Sequence, residues 1–316
     1  METQKGNWRQ VFFPDNPPSR IGCGFTNFAD QRTLLFGGIN SLTGYLEDTW
    51  SFDSIQWDQL QISSSPFPRY GMGFGWDRIS QKIIIFGGKN NDHLLGDTWL
   101  FDGNNWLIQD PLISPPPRMN SCLDCHLTQK QIILFGGKVN NGTKYLHNSN
   151  DTWIWNGYNW SQQFPVDSPP IRSNTNLVYD QERDYLLMFG GEAGGGCYDD
   201  TWIWNGMNWI QQHSNHSPSN RMDFGLVFHE EKRTVVLFGG QTTRGIASDT
   251  WVWDGIDWTQ LQVVQSPPIQ VANGAKLAYI PNIKTVVLYN AYKEKVPISD
   301  ESSTMIDRSE FWVLEY

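Results

Sequence analysis

Residues 122–126 read CLDCH. Two cysteines three apart and a following histidine make the C-x-x-C-H spacing that attaches a c-type haem. The thiols would bond the porphyrin vinyl groups and the imidazole would ligate iron. Few other residues are spaced for chemistry. The histidines, at 93, 126, 147, 213, 216 and 229, are scattered. No second C-x-x-C completes a zinc site. The chain carries no G-x-S-x-G, no Walker loop and no H-E-x-x-H, and the glycine triplet at 194–196 lacks the Lys-Ser/Thr of a phosphate cradle. Whether CLDCH is a haem site therefore rests on the element that carries it.

Composition narrows the classes. A net charge of −10 argues against a broad basic surface for nucleic acid. The first residues, METQKGNWRQVFF, lack the apolar core of a signal peptide, and no apolar run approaches the 18 residues of a membrane span. Four cysteines in 316 residues are too few for a disulfide scaffold. The expectation is a cytoplasmic, monomeric chain with free thiols. The 16 tryptophans and 29 glycines point to something more regular than an average domain.

That regularity is a repeat. FGG begins at Phe36, Phe86, Phe135, Phe189 and Phe238, at intervals of 50, 49, 54 and 49 residues. DTW follows at Asp48, Asp97, Asp151, Asp200 and Asp249. A second tryptophan comes next, at Trp57, Trp106, Trp160, Trp209 and Trp258. A proline cluster then ends in an arginine, as in SPFPR at Arg69 and SPPPR at Arg118. A period near 50 marks an array of supersecondary units. Each unit reads as four strands: a short segment after the arginine, a continuous apolar run such as KIIIFGG, the DTW strand, and the strand of the second tryptophan. DG, NG and proline clusters separate them. One such sheet cannot bury both its faces, whereas a ring of them can.

The glycine pair after an apolar strand, the downstream tryptophans and the period resemble kelch repeats, over nearly the whole chain. The resemblance implies an all-β, six-bladed β-propeller with four-stranded blades, a single domain over residues 1–316. A sixth, worn unit has TVVLYNA (285–291) for the FGG strand and SEFWVLE (309–315) for the DTW strand, and lacks a fourth strand. GNWRQVFF near the start contains Trp8, one period before Trp57. The N-terminal strand is thus expected to complete the last blade and close the ring, which removes open sheet edges.

On this frame CLDCH lies in the innermost strand of the third unit. Neighbours on a strand alternate faces, so Cys122 and Cys125 point oppositely and cannot grip one porphyrin. No cofactor and no metal site is expected. Similar propellers include galactose oxidase and iron-binding specifier proteins, but no copper or iron ligand spacing of theirs is present here.

Kelch proteins bind ligands at one mouth of the central channel, which the resemblance carries onto the loops after the glycine pairs and before the innermost strands. Arg20, Arg69, Arg118, Arg172 and Arg221 would ring that mouth, each with a partner in the aspartate of DTW. Two residues after the arginines stand Gly22, Gly71, Asn120, Asn174, Asp223 and Ala272. Four residues after them stand Gly24, Gly73, Cys122, Asn176, Gly225 and Gly274. Units three to five thus put polar or reactive groups where glycine stands elsewhere. They are read as one side of a pocket: Arg118, Arg172, Arg221, Asn120, Asn174, Asn176 and Lys138 as ligand-binding residues, Asp223 as base or polar anchor, and Cys122 as a weaker nucleophile candidate. Fixed arginines there would favour carboxylate or phosphate groups. The long loops 138–150 and 292–308 are candidates for a lid or a partner grip. The function expected is a binding propeller for a protein, a peptide or a small anionic molecule. The alternative is a non-redox isomerase, lyase or cyclase using the same mouth, and a sugar-binding propeller is a third reading.

Overall fold

The computed structural model describes residues 5–13, 15–28, 32–91, 93–268, 274–299 and 302–316. Five blades follow one plan. The third, for example, orders Cys122–His126, Gln131–Val139, His147–Trp155 and Trp160–Gln163 from the axis outwards, all antiparallel. The second strand of each is the apolar run. Ile83–Phe86, Ile132–Phe135 and Val235–Phe238 are almost wholly buried because both faces of the strand meet a neighbouring blade. The sixth blade takes Ala275–Ile280, Thr285–Ser299 and Ser302–Glu315 from the end of the chain. Its outer strand, Lys5–Val11, comes from the beginning, with Trp8 opposite Leu314. The ring is a six-bladed propeller closed by its N-terminal strand.

The repeat residues are the fastenings between blades. The outer-strand tryptophan of one blade donates its indole N–H to the DTW threonine of the blade before: Trp106 to Thr49 at 3.0 Å, then Trp160 to Thr98, Trp209 to Thr152, Trp258 to Thr201 and Trp8 to Thr250, each at 2.9 Å. The second glycine of a pair donates to the next blade's arginine carbonyl, as from Gly38 to Arg69 at 2.8 Å and Gly137 to Arg172 at 2.9 Å. Gly137 has φ 95°, and a β-carbon there would stand 2.8 Å from the Met119 carbonyl, so only glycine fits.

The sixth unit departs from the expected alignment. In every other blade the FGG phenylalanine faces the fourth residue after the arginine: Phe36 pairs with Gly24, Phe86 with Gly73, Phe135 with Cys122, Phe189 with Asn176 and Phe238 with Gly225. Its counterpart Tyr289 pairs with Lys276. The register position expected at Gly274 therefore belongs to Lys276, two residues further on. Gln270 and Ala272 lie outside the described residues. The expected loop 292–308 is also corrected. Thr285–Ser299 and Ser302–Glu315 stay paired to Ser299 opposite Ser302, so the segment is a β-ribbon continuing the blade. Its base is held to the chain start, where the Ser19 hydroxyl donates to the Arg308 carbonyl at 2.6 Å. Among the described residues no helix is long and apolar enough to cross a membrane.

Candidate functional site

The five repeat arginines lie within the blades rather than lining the mouth with free charge. Arg69 stands 2.6 and 2.8 Å from the two oxygens of Asp97 and 3.0 Å from the Gly87 carbonyl. Arg118 and Asp151, Arg172 and Asp200, and Arg221 and Asp249 repeat this fork. The arginine side chains are fully buried, and the tryptophan of DTW adds an indole N–H to each carboxylate. Burial works against ionisation of Asp151, but the Arg118 bonds outweigh it and hold the carboxyl below its usual range. Removing one member of such a pair strands the other, at a cost of about 3–5 kcal/mol. Lys138 is likewise met by Glu192, at 2.6 Å. The positive mouth that favoured an anionic ligand is neutralised residue by residue.

The two rows of departures from glycine have different causes. The position two after the arginine is a kink. Gly22, Gly71, Asn120, Asn174 and Asp223 all have positive φ, between 54° and 65°. Gly, Asn and Asp are the residues that adopt this conformation most readily. The kinks also carry a girdle of backbone hydrogen bonds round the axis. Gly71 N–H donates to Gly22, Asn120 to Gly71, Asn174 to Asn120 and Asp223 to Asn174, at 2.8, 2.6, 3.0 and 3.0 Å. The position four after the arginine faces the next blade. A β-carbon on Gly73 would meet Leu123, and one on Gly225 would meet Leu277. Cys122 packs there with Leu177 and Ile133; burial pushes its thiol up to about 12, away from nucleophilic use. Asn176 donates from Nδ2 to the Phe224 carbonyl of the next blade at 3.3 Å. Cys125 belongs to a different cluster, with Ile84 and Leu134, so the two thiols of CLDCH do lie on opposite faces of the blade.

What gathers at the channel is a smaller set. A cavity of about 150 Å³ runs along the axis, and Asn120, Ser121, Asn174, Asp223 and Lys276 belong to its wall. Lys138 and Glu192 join the set through Asn174, whose Nδ2 lies 3.4 Å from Glu192 Oε1. The Asp223 carboxyl is raised to about 6 by desolvation, against the opposing pull of Lys276. Asn120 Oδ1 and Ser121 Oγ are enclosed and without a partner among the described residues. Arg78, Asp124 and Glu230 line the same cavity. The Arg78 guanidinium lies over the rings of Trp76 and Tyr179, at 5.3 and 5.8 Å from their centroids. Asp124 accepts the backbone N–H groups of Cys125 and Tyr179, both at 2.8 Å. Counting from the proline cluster missed Lys276; counting back from TVVLY would have found it.

Among the described residues no group of three or more His, Cys, Asp or Glu is placed to hold a metal ion. No curated protein matches the chain. The family described as the KLHDC2/KLHL20/DRC7 Kelch-repeats domain matches residues 124–300, just over half of the sequence, from the inner strand of blade three into the first two strands of blade six. With the repeat fastenings and six blades in place, the chain belongs to this kelch-repeat family.

Proposed function

We infer that this chain is a protein-binding propeller, and that it takes hold of its partner at the channel mouth over blades three to five. The observation that carries the reading is the asymmetry of the girdle. Its kinks in blades one and two are glycines, whereas in blades three to five they carry Asn120, Asn174 and Asp223 to the rim of an axial cavity. The same blades supply Lys138 and Glu192 beside them. The fold brings no chemistry of its own, so polar groups added at one side of the mouth are read as recognition. A second reading, catalysis with Asp223 as general base, is favoured by a carboxyl raised to about 6, close to a working pH.

Photo-crosslinking separates mouth from rim. A benzophenone amino acid at Gln241, which follows the fifth blade's glycine pair opposite Met222 as Lys138 does opposite Met119 in the third, and another at Leu112, exposed on the outer edge, are compared in cells expressing the chain. A partner protein captured from Gln241 and not from Leu112 is the expected result. Capture from Leu112 alone would overturn the reading. A small molecule that raises the melting temperature, and loses that effect in Asp223→Asn, would favour catalysis.

A further inference from the structure

We propose that the end of the channel opposite the mouth binds a small carboxylate on Arg78. This goes beyond the reading of the mouth and does not depend on it.

Arg78 directly follows Gly73–Asp77, the inner strand of blade two. That strand starts beside the girdle, and its five residues carry Arg78 roughly 17 Å along the strand to the far end of the channel. The side chain lines the cavity there. Leu127, Gln181, Glu230 and Pro281 hold the same place in blades three to six, so a cation at this position belongs to blade two.

Elsewhere the arginines that are not exposed clasp an aspartate: Arg20, Arg69, Arg118, Arg172, Arg183 and Arg221 each do. Arg78 is half-buried, yet among the described residues its guanidinium donates no hydrogen bond and joins no ion pair. The rings of Trp76 and Tyr179 hold it in place instead. Its Nη1 is sealed, whereas Nε and Nη2 are not enclosed. Those two nitrogens form one edge of the guanidinium fork, with parallel N–H groups that fit the two oxygens of a carboxylate. Asp124 attracts Arg78 through space, but its own oxygens already accept the backbone N–H groups of Cys125 and Tyr179. A partly desolvated guanidinium with an unmet edge is a cost that an entering acceptor removes.

Charge selects among the anions. Glu230 lines the cavity from blade five, across the ring from blade two, and Asp124 lines it from blade three. The whole chain carries −10. A dianionic phosphate would be repelled by all of these, whereas a monoanion matches the single guanidinium. Val178, Val227 and Tyr279 share the wall and offer an apolar surface to a short carbon chain.

The test uses the intact chain at fixed ionic strength, because screening alone changes the affinity of charged probes. Backbone amide resonances are followed while n-butyrate, n-butylammonium and inorganic phosphate are added in separate titrations. The inference expects butyrate to move the amides of Trp76, Arg78 and Tyr179 and to leave those of Asn174 and Asp223 in place. Butylammonium should move none of them, and phosphate should bind more weakly than butyrate. Arg78→Gln should bind butyrate at least about tenfold more weakly, since hydrogen bonds to a charged group are lost. Arg78→Lys keeps the charge without the fork and should fall between Arg78→Gln and the parent. Lys130→Gln, which removes an exposed charge from the corresponding turn of blade three, should bind as the parent does. No movement of the far-end amides with butyrate up to tens of millimolar overturns the inference. So does equal movement by butylammonium, equal binding by Arg78→Gln, or movement confined to Asn174 and Asp223. Tighter binding of phosphate than of butyrate overturns the choice of a carboxylate.

Discussion

Asn120, Asn174 and Asp223 have φ of 56°, 54° and 57°, where a side chain with a β-carbon costs roughly 1–2 kcal/mol and glycine costs nothing. Their identities thus answer first to the backbone and only then to whatever enters the channel. The sequence displayed the pattern but not its cause, because positive φ and a polar pocket select the same residues. Cys122 and Asn176 stood in the same pattern for another reason, the gap left beside Leu177 and Phe224 of the next blade. Asp223 can be told from its neighbours by titration. Its folded carboxyl sits at about 6, against an unfolded value near 4. Between those values the folded state holds a proton that the unfolded state has lost. The charged, desolvated carboxylate therefore weakens the fold above pH 6, and the penalty fades as pH falls toward 4. Relative to Asp223→Asn, the parent is expected to gain stability over that window, by about 1–3 kcal/mol at roughly 1.4 kcal/mol per unit. Asp48, Asp97, Asp151 and Asp249 run the other way. Their carboxyls are held low by arginine, so their contribution is lost only as pH falls below the ordinary carboxylate range. Urea unfolding of parent and Asp223→Asn from pH 3.5 to 7.5 checks the Asp223 window; parallel curves between pH 4 and 6 would place the Asp223 carboxyl in water.

The four-strand unit was the most legible level of the chain, because each strand carries a marker with one structural job. FGG marks the buried strand and the interblade glycine, DTW the carboxylate that clasps the arginine and the threonine that receives an indole, and the second tryptophan the outer strand that delivers it. Elements without such markers were read less well. The inner segment breaks in two at its kink, as Arg118–Met119 and Cys122–His126 do, although the sequence there looks continuous. The sixth unit lost its arginine and its glycines, so counting from the prolines slipped by two residues. The segment 292–308, polar and rich in charge, gave no strand alternation, yet it is a ribbon. The missing fourth strand was predictable from Trp8 alone. In the fold that strand runs beside Phe311–Glu315, and Trp8 is wholly buried with its indole on Thr250. Deleting residues 1–13 should therefore expose the Ser302–Glu315 edge and orphan the Thr250 hydroxyl, giving aggregation or a large loss of stability. A synthetic peptide of residues 1–13 added back should restore a monodisperse, cooperatively unfolding species. If the truncated chain were as stable and soluble as the parent, the strand would be an ornament of the blade and not its closure.

A closed ring is held by its seams, and here the six are not alike. Five carry the indole-to-threonine bond. At the sixth, between the last blade and the first, the position of the DTW threonine is taken by Phe311, and Trp57 Nε1 is enclosed without a partner. In place of the hydrogen bond stands a cluster of rings. Trp57 lies 5.2 Å from Phe311 and 5.0 Å from Phe52, and Phe13 lies 5.6 Å from Phe311. Tyr289 packs on Phe311 at 5.4 Å and accepts the Arg20 amide across the same seam with its hydroxyl, at 3.0 Å. Two effects compete. Restoring threonine would give the orphaned indole an acceptor, a net gain of about 1 kcal/mol, or up to about 3 kcal/mol if the full desolvation penalty is relieved. It would also remove a wholly buried phenylalanine from the middle of the cluster, and large-to-small changes of this kind cost about 3–5 kcal/mol. Packing should prevail. Phe311→Thr is therefore expected to destabilise the chain by roughly 2–4 kcal/mol where the new bond is worth its usual ~1 kcal/mol, even though it makes the sixth seam match the other five. Chemical denaturation of Phe311→Thr beside Trp57→Phe decides the matter, since the second variant deletes the orphaned N–H and keeps a ring in the cluster. Should Phe311→Thr prove as stable as the parent or more so, the unmet indole would be the dominant cost at this seam, and the aromatic cluster would be filling the ring rather than fastening it.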